Sequence, residues 1–228
     1  SKDAEEIQRM IAAQRIAEAA LDQIVKEIRP GVTEKEIAAR LQYLMLHYGA
    51  EDKSFDPIVV SGPNGSLPHG VPSEKLIQAG EFVTMDFGCV YHGYCSDMTR
   101  TFFCKTADPK YAAIHDLVRS ANEIAEGMIR PGIPLRELDI AAREHIASAG
   151  YGEYFTHRLG HFIGQTEPEK GDVSAVTELV AKPGMIFSIE PGVYLPGQFG
   201  VRVEDLVLVT EEGCEILNHV DKHWKTVG

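Results

Sequence analysis

No uncharged apolar stretch in this sequence of 228 residues approaches the roughly 18 needed for a membrane-spanning helix, so no membrane partner is expected. The opening Ser1-Lys2-Asp3-Ala4-Glu5-Glu6 lacks the apolar core of a secretion signal and reads as the start of a helix. Positive charge is in deficit, with 22 Lys and Arg against 34 Asp and Glu and a net charge of −12. That balance argues against nucleic acid or an anionic membrane surface as a partner. Cysteine is scarce, and Cys89, Cys95, Cys104 and Cys214 fall at no Cys-x-x-Cys spacing and build no dense disulfide framework. They are expected to be reduced thiols of a cytoplasmic protein. What is present is enough apolar content, 44%, for a real core, at a length that fits one large domain or two small ones.

The helical periodicity is clearest over residues 3–29, where Ile7, Ile11, Leu21, Ile24, Val25 and Ile28 recur at mostly helical spacing before Arg29-Pro30-Gly31 stops the run. Thr33 then caps a second helix, with Glu36 three residues on completing a capping-box pattern and Gly49 ending it. Strands are expected at 58–61, 82–86 and 99–104, with a middle segment around 91–94 punctuated by Gly88 and Gly93. A second long helix runs from Asp108-Pro109 through Met128, and strands are expected around 185–189, 201–203, 206–209 and 215–217. Ile28-Arg29-Pro30-Gly31 recurs as Ile129-Arg130-Pro131-Gly132, 101 positions on. At the same offset Glu36-Ile37 meets Glu137-Leu138, and Gly49 meets Gly150. Such agreement reads as a duplicated helix–helix–strand unit, which implies two related halves with a site between them.

Five short stretches carry candidate ligands: Met-Asp-Phe-Gly at 85–88, Ser-Asp-Met-Thr-Arg-Thr at 96–101, His-Arg-Leu-Gly-His at 157–161, Ile-Glu-Pro-Gly at 189–192 and Arg-Val-Glu-Asp at 202–205. Singly, each acid could be a solvated surface residue. Asp86, however, lies among Phe82, Val83, Met85 and Phe87, and Glu190 ends the apolar run from Met185 to Ile189. An unpaired buried carboxylate at either position would cost several kcal/mol, on the order of the desolvation penalty of a polar group. Four carboxylates and an imidazole can hold two divalent ions able to activate water for hydrolysis. They would also neutralise part of the acidic excess. Such an oxygen-rich set suits Mn²⁺, Co²⁺ or Zn²⁺ more than copper. His69, His157 and His161 stand out among nine histidines because each adjoins glycines or a turn.

In this order and spacing the five stretches resemble those of the proline-specific metallopeptidases of the pita-bread fold, the aminopeptidase P and prolidase family, over nearly the whole sequence. The resemblance implies an α+β fold of two pseudo-symmetric halves, each with helices backing a curved antiparallel sheet. It implies two divalent ions, with Mn favoured and Co or Zn as alternatives. Asp86 would chelate one ion, Asp97 and Glu204 would bridge both, and His161 and Glu190 would bind the second. Glu190 would take the proton of the attacking water, while His69 and His157 would contact substrate or the developing oxyanion. Tyr194 and Arg202 match residues of the family's active-site network. The implied substrate is a peptide with proline at its second position, and a homodimer is the family's expectation. Methionine aminopeptidases share the fold and the ligand scheme, but Ile-Glu-Pro-Gly-Val-Tyr and Gly-Val-Arg-Val-Glu-Asp have the proline-peptidase form. Creatinase shares the fold without metal, and it does not keep this carboxylate set.

Two departures accompany the resemblance. Pro168 occupies the place, seven positions after His161, where the family usually carries another histidine; proline offers neither imidazole nor N–H. Glu167 or Glu169 could substitute in part, though an ionised carboxylate supplies no donor. The family's separate N-terminal domain has no counterpart here, so residues 1–228 are expected to form the catalytic domain alone. Two alternatives therefore stand beside an Xaa-Pro peptidase: a catalytically impaired peptide-binding module on the same fold, and an aminopeptidase of other specificity.

Overall fold

The computed structural model describes residues 1–228, and the sequence repeat is a repeat of structure. Helix α1 spans Ala4–Ile24 and α2 Glu34–His47. In the second half, α3 spans Pro109–Gly127 and α4 Leu135–Ser148. The bounds of α2 and α4 differ by the same 101 positions as the Pro-Gly motifs. The turns before them are tied down in the same way: the Gly31 N–H donates to the Ile77 carbonyl and the Gly132 N–H to the Ala181 carbonyl, both at 2.9 Å. Both glycines are left-handed, with φ of 94° and 92°, a conformation costly for any residue with a Cβ. Thr33 and Glu36 form the expected capping box on α2. Asp3 and Glu6 form another on α1, which ends at Ile24 rather than continuing to 29 because the chain must unwind before the Pro30-Gly31 turn.

The strands follow as β1 (Asp52–Lys53), β2 (Ile58–Ser61), β3 (Phe82–Phe87), β4 (Cys89–Tyr91), β5 (Tyr94–Cys95) and β6 (Met98–Cys104). After the second helix pair come β7 (Gly160–Phe162), β8 (Glu169–Val173), β9 (Ile186–Ile189), β10 (Gly192–Leu195), β11 (Phe199–Arg202), β12 (Asp205–Val209), β13 (Cys214–Ile216) and β14 (Thr226–Val227). One sheet runs β14-β6-β3-β2 and the other β13-β12-β9-β7-β8, while β1-β4-β5 and the β10-β11 hairpin form smaller sheets. Pairing is antiparallel except for β14, which lies parallel to β6. Pro196-Gly197-Gln198 form the turn of the β10–β11 hairpin, closed by the Leu195–Phe199 pair. Strands β1, β7, β8, β10 and β14 go beyond the sequence expectation.

Each half buries its own helices against its own strands. Ala17, Leu21, Ile24, Leu41 and Met45 pack on Val83, Met85 and Phe87. Val118, Ala121, Leu138 and Ile146 pack with Phe187, Ile189 and Val207. Burying side chains of this size contributes about 1.5–3 kcal/mol each. The two principal sheets join at one antiparallel bridge, Thr99 with Glu204, where the Glu204 N–H donates to the Thr99 carbonyl at 3.1 Å. All four cysteines are free thiols, as expected. No helix is long and apolar enough to cross a membrane.

Candidate metal centre

The seam between the halves is where the candidate ligands meet. Asp86 lies on β3, opposite Thr99 of β6, and Asp97 immediately precedes β6. Gly88 lets the chain pass against the Ser96 carbonyl, which a Cβ would overlap. His161 is the middle residue of β7; its N–H donates to Ser188 Oγ at 3.0 Å, and Gly160 packs so close to the Ser188 carbonyl that a Cβ would overlap it. Glu190 follows β9, with its N–H on the Leu159 carbonyl at 2.8 Å. Glu204 is half of the seam bridge, and Thr99 Oγ1 donates to its Oε1 at 2.8 Å.

The His161 Nδ1–H donates to the Phe162 carbonyl at 3.0 Å, so Nε2 is the nitrogen turned into the site and, whenever the ring is neutral, the one with the free lone pair. That nitrogen faces Asp97 Oδ2 at 3.2 Å, Glu190 Oε2 at 3.5 Å and Glu204 Oε2 at 3.8 Å. One ligand atom from each of these four residues lies within 4.8 Å of the others. Asp86 stands beside this group, its Oδ2 held by Arg202 Nη2 at 3.0 Å. Asp86 Oδ1, Asp97 Oδ1 and Glu204 Oε2 are buried acceptors with no donor. Such a cluster of carboxylate oxygens around one ring nitrogen, three of them unsatisfied, is unfavourable unless protons or a metal cation stand among them. These residues therefore fit bound divalent metal.

The same crowding governs proton affinity in the metal-free chain. Burial, and then the Asp86 charge, push the Asp97 carboxyl well above its usual range. Burial and the charges of Asp97 and Glu190 do the same to Glu204. Burial opposes ionisation of Glu190, but hydrogen bonds with Glu204 and His161 hold it below the ordinary carboxylate value. Burial likewise opposes a charged His161, yet Asp97, Glu190 and Glu204 hold it protonated far above the usual imidazole range. Metal binding displaces protons from ligands of this kind.

Beyond the cluster, a hydrogen-bond relay joins three residues singled out in the sequence. Arg202 Nη1 donates to the Tyr194 hydroxyl at 3.0 Å, and that hydroxyl reaches His157 Nε2 at 2.7 Å. The His157 Nδ1–H is committed to the Arg158 carbonyl at 2.7 Å, so Nε2 is the acceptor for Tyr194. Burial lowers the His157 pKa and keeps the ring neutral. Arg202 Nη1 also contacts the Pro68 carbonyl at 3.3 Å, which anchors the loop carrying the exposed His69. A cleft of about 590 Å³ opens over these groups, with Phe55, Ile58 and Pro168 as the apolar residues of its lining.

Sequence reasoning left Glu167 and Glu169 as equals, and the structure separates them. Glu167 points inward, its Oε1 3.2 Å from His161 Nε2, while Glu169 turns away to Lys2 Nζ at 2.9 Å. It passed over Asp139 and Arg143 of α4, which hold the His157 loop. Arg143 donates to the Phe155 and His157 carbonyls at 2.8 and 2.9 Å, and Asp139 accepts the Leu159 N–H at 2.9 Å. Their only signal was an ion pair at helical spacing, Asp139–Arg143, on a helix whose inner face is otherwise apolar.

This fold and donor set are those of a metallopeptidase. Residues 8–211 match metallopeptidase family M24, and the chain belongs to that family. Its fold is the family's pita-bread fold. The X-Pro aminopeptidase of Thermotoga maritima superposes with a TM-score of 0.97 at 40% identity, over 99% of this chain and 64% of its own. The Xaa-Pro dipeptidase of Bacillus anthracis does so with a TM-score of 0.97 at 42% identity, over 99% of this chain and 64% of its own. The uncharacterized peptidase YqhT of Bacillus subtilis is 41% identical over 221 residues, 97% of this chain and 63% of its own length. The chain thus spans a little under two thirds of the relatives it matches.

Proposed function

We propose that this chain is the catalytic unit of a dinuclear, metal-dependent peptidase that hydrolyses the bond between an N-terminal residue and a following proline. The observation that carries this reading is the convergence of the His161 Nε2 lone pair with unsatisfied carboxylate oxygens from both halves of the fold. Asp86 and Asp97 from one half, and His161, Glu190 and Glu204 from the other, would hold two divalent ions, with Mn²⁺ as the favoured metal. Bound ions of this type supply Lewis acidity and make water acidic enough to be a nucleophile near neutral pH.

The remaining steps belong to the protein. Glu190 is held in its ionised form at the floor of the cleft, ready to accept the proton of the attacking water. His69 is exposed at the rim, where its ring can meet the substrate backbone. His157 presents an acceptor nitrogen already taken by Tyr194, so a donor contact from His157 to the oxyanion requires both that the Tyr194 hydroxyl move aside and that Nε2 take up a proton. Arg202 pairs directly with Asp86 Oδ2 at 3.0 Å and so fixes the direction of its carboxylate. Proline at the second position has no N–H to satisfy and a fixed φ, and its ring suits a cleft whose lining includes the apolar Phe55, Ile58 and Pro168. The solved structures at 40 and 42% identity bear names of X-Pro and Xaa-Pro peptidases, which supports the same specificity.

The test is hydrolysis of a panel of Xaa-Pro and Xaa-Ala peptides with Mn²⁺ by the wild type, Asp97→Ala and Pro168→His. Turnover of Xaa-Pro peptides alone, abolished by Asp97→Ala, is the expected result. Equal cleavage of Xaa-Ala would assign a broader aminopeptidase. Because Pro168 supplies no imidazole, a second reading is a peptide-binding module; it predicts metal and peptide binding with turnover appearing only in Pro168→His.

A further inference from the structure

Glu167 occupies a position that the five sequence stretches do not account for. Its Oε1 lies 3.2 Å from His161 Nε2, the same distance as Asp97 Oδ2 and closer than Glu190 Oε2 at 3.5 Å. Adjacent ligands of an octahedral ion with bonds of about 2.1 Å stand roughly 3 Å apart. Glu167 thus has the spacing of a ligand, as measured from the one nitrogen in the cluster. Oxygens of Asp97, Glu167 and Glu190 all lie within 3.5 Å of this one nitrogen. A single proton on Nε2 cannot be shared well among three carboxylates, whereas a divalent cation standing among them can be.

The loop around Glu167 is built to keep it there. Glu169 accepts from Lys2 Nζ at 2.9 Å and from the Gln165 N–H at 3.1 Å, while Thr166 Oγ1 donates to the Pro168 carbonyl at 3.2 Å. The side chain of Glu167 is 15% exposed and lines the cleft beside His161 and Glu190.

Resting on the dinuclear reading above, we infer that Glu167 is a sixth protein ligand, bound to the ion that His161 holds. The set then comprises five carboxylates and one imidazole, balanced by two divalent ions together with buried Arg202. Each carboxylate added to a site with a single nitrogen shifts preference toward hard ions, so Glu167 favours Mn²⁺ over Zn²⁺.

The experiment is calorimetric titration of the metal-free chain with Mn²⁺ and with Zn²⁺, together with Mn²⁺ electron paramagnetic resonance, on the wild type, Glu167→Gln and Glu167→Ala. The expected wild-type result is two ions per chain. Both variants should bind one of the two Mn²⁺ ions at least about tenfold more weakly, with an altered resonance, and should lose less affinity for Zn²⁺. The two substitutions differ in bulk, so agreement between them separates a lost ligand from a packing defect. Wild-type affinities and spectrum in both variants would overturn the inference while leaving the dinuclear reading intact. A wild-type chain that binds no metal would overturn that reading, and the inference with it.

Discussion

Asp97→Asn should make the metal-free chain more stable and the Mn²⁺-loaded chain less stable than the wild type. The Asp97 side chain is 2% exposed, its Oδ1 has no donor, and burial together with the Asp86 charge raises its pKa well above the ordinary value. A carboxyl whose folded pKa exceeds its unfolded value, near 3.9, binds its proton more tightly in the native state. Its contribution is neutral below the unfolded pKa and grows more destabilising as pH rises toward the folded pKa. Asparagine keeps the shape without the charge. Replacing a strained buried charge by a neutral group of similar size is worth about 1–4 kcal/mol, and we expect a gain in that range at pH 7 in EDTA.

With metal the sign reverses. At a free Mn²⁺ concentration a hundredfold above its Kd, each site adds about 2.7 kcal/mol to wild-type stability. Asp97, as the proposed bridge to both ions, carries most of that gain, and the variant forfeits it. Urea denaturation of both proteins in EDTA and in Mn²⁺, at pH 5 and pH 7, reads all the terms. The curves should cross between the two media, and the advantage in EDTA should shrink at pH 5. A variant less stable than the wild type in both media would refute the reasoning, because Asp97 would then be serving the fold and not a cation.

Three further outcomes follow from the surroundings of the site. Tyr194→Phe removes the hydroxyl between Arg202 and His157; kcat/KM on an Xaa-Pro peptide should fall by about 100-fold with the Mn²⁺ stoichiometry unchanged, as steady-state kinetics and metal analysis will show. Glu126→Gln acts away from the ligands: burial and then the neighbouring Asp205 raise the Glu126 carboxyl, so wild-type stability should decline from about pH 4.3 upward, by at most about 1.4 kcal/mol per pH unit. The Gln variant should flatten that decline in urea melts at pH 5 and 8, and an unchanged slope would contradict it. Gly160→Ala forces a methyl onto the Ser188 carbonyl and displaces β7, which should cost about 1–3 kcal/mol and weaken Mn²⁺ binding in calorimetry.

The parts of this fold legible in the sequence are those in which neighbouring residues determine the outcome. Thr33 and Glu36 close a capping box within one turn, and the two Pro-Gly turns need left-handed glycines whatever surrounds them, so α2, α4 and the repeat could be read directly. Strand β7 could not. It has three residues, a register shift between His161 and Phe162, and partners in β8 and β9 that its own sequence does not name. The difference between Glu167 and Glu169 was hidden for a related reason. In an extended run, residues two apart share a face, so both acids should point the same way. Strand β8 begins only at Glu169, and the turn before it carries Glu167 inward while Lys2, 167 positions away in sequence, draws Glu169 outward. Arg202 and Asp86 make the same point across 116 positions. Local chemistry marks which residues could serve a metal, whereas the ion pairs and seam contacts that aim them come from distant chain segments. Each half packs its own core, but the candidate ligands come from both and the principal sheets share one bridge at Thr99 and Glu204. The candidate metal centre is therefore the part of the molecule whose geometry depends most on the halves being held together, and the part that bound cations would do most to hold.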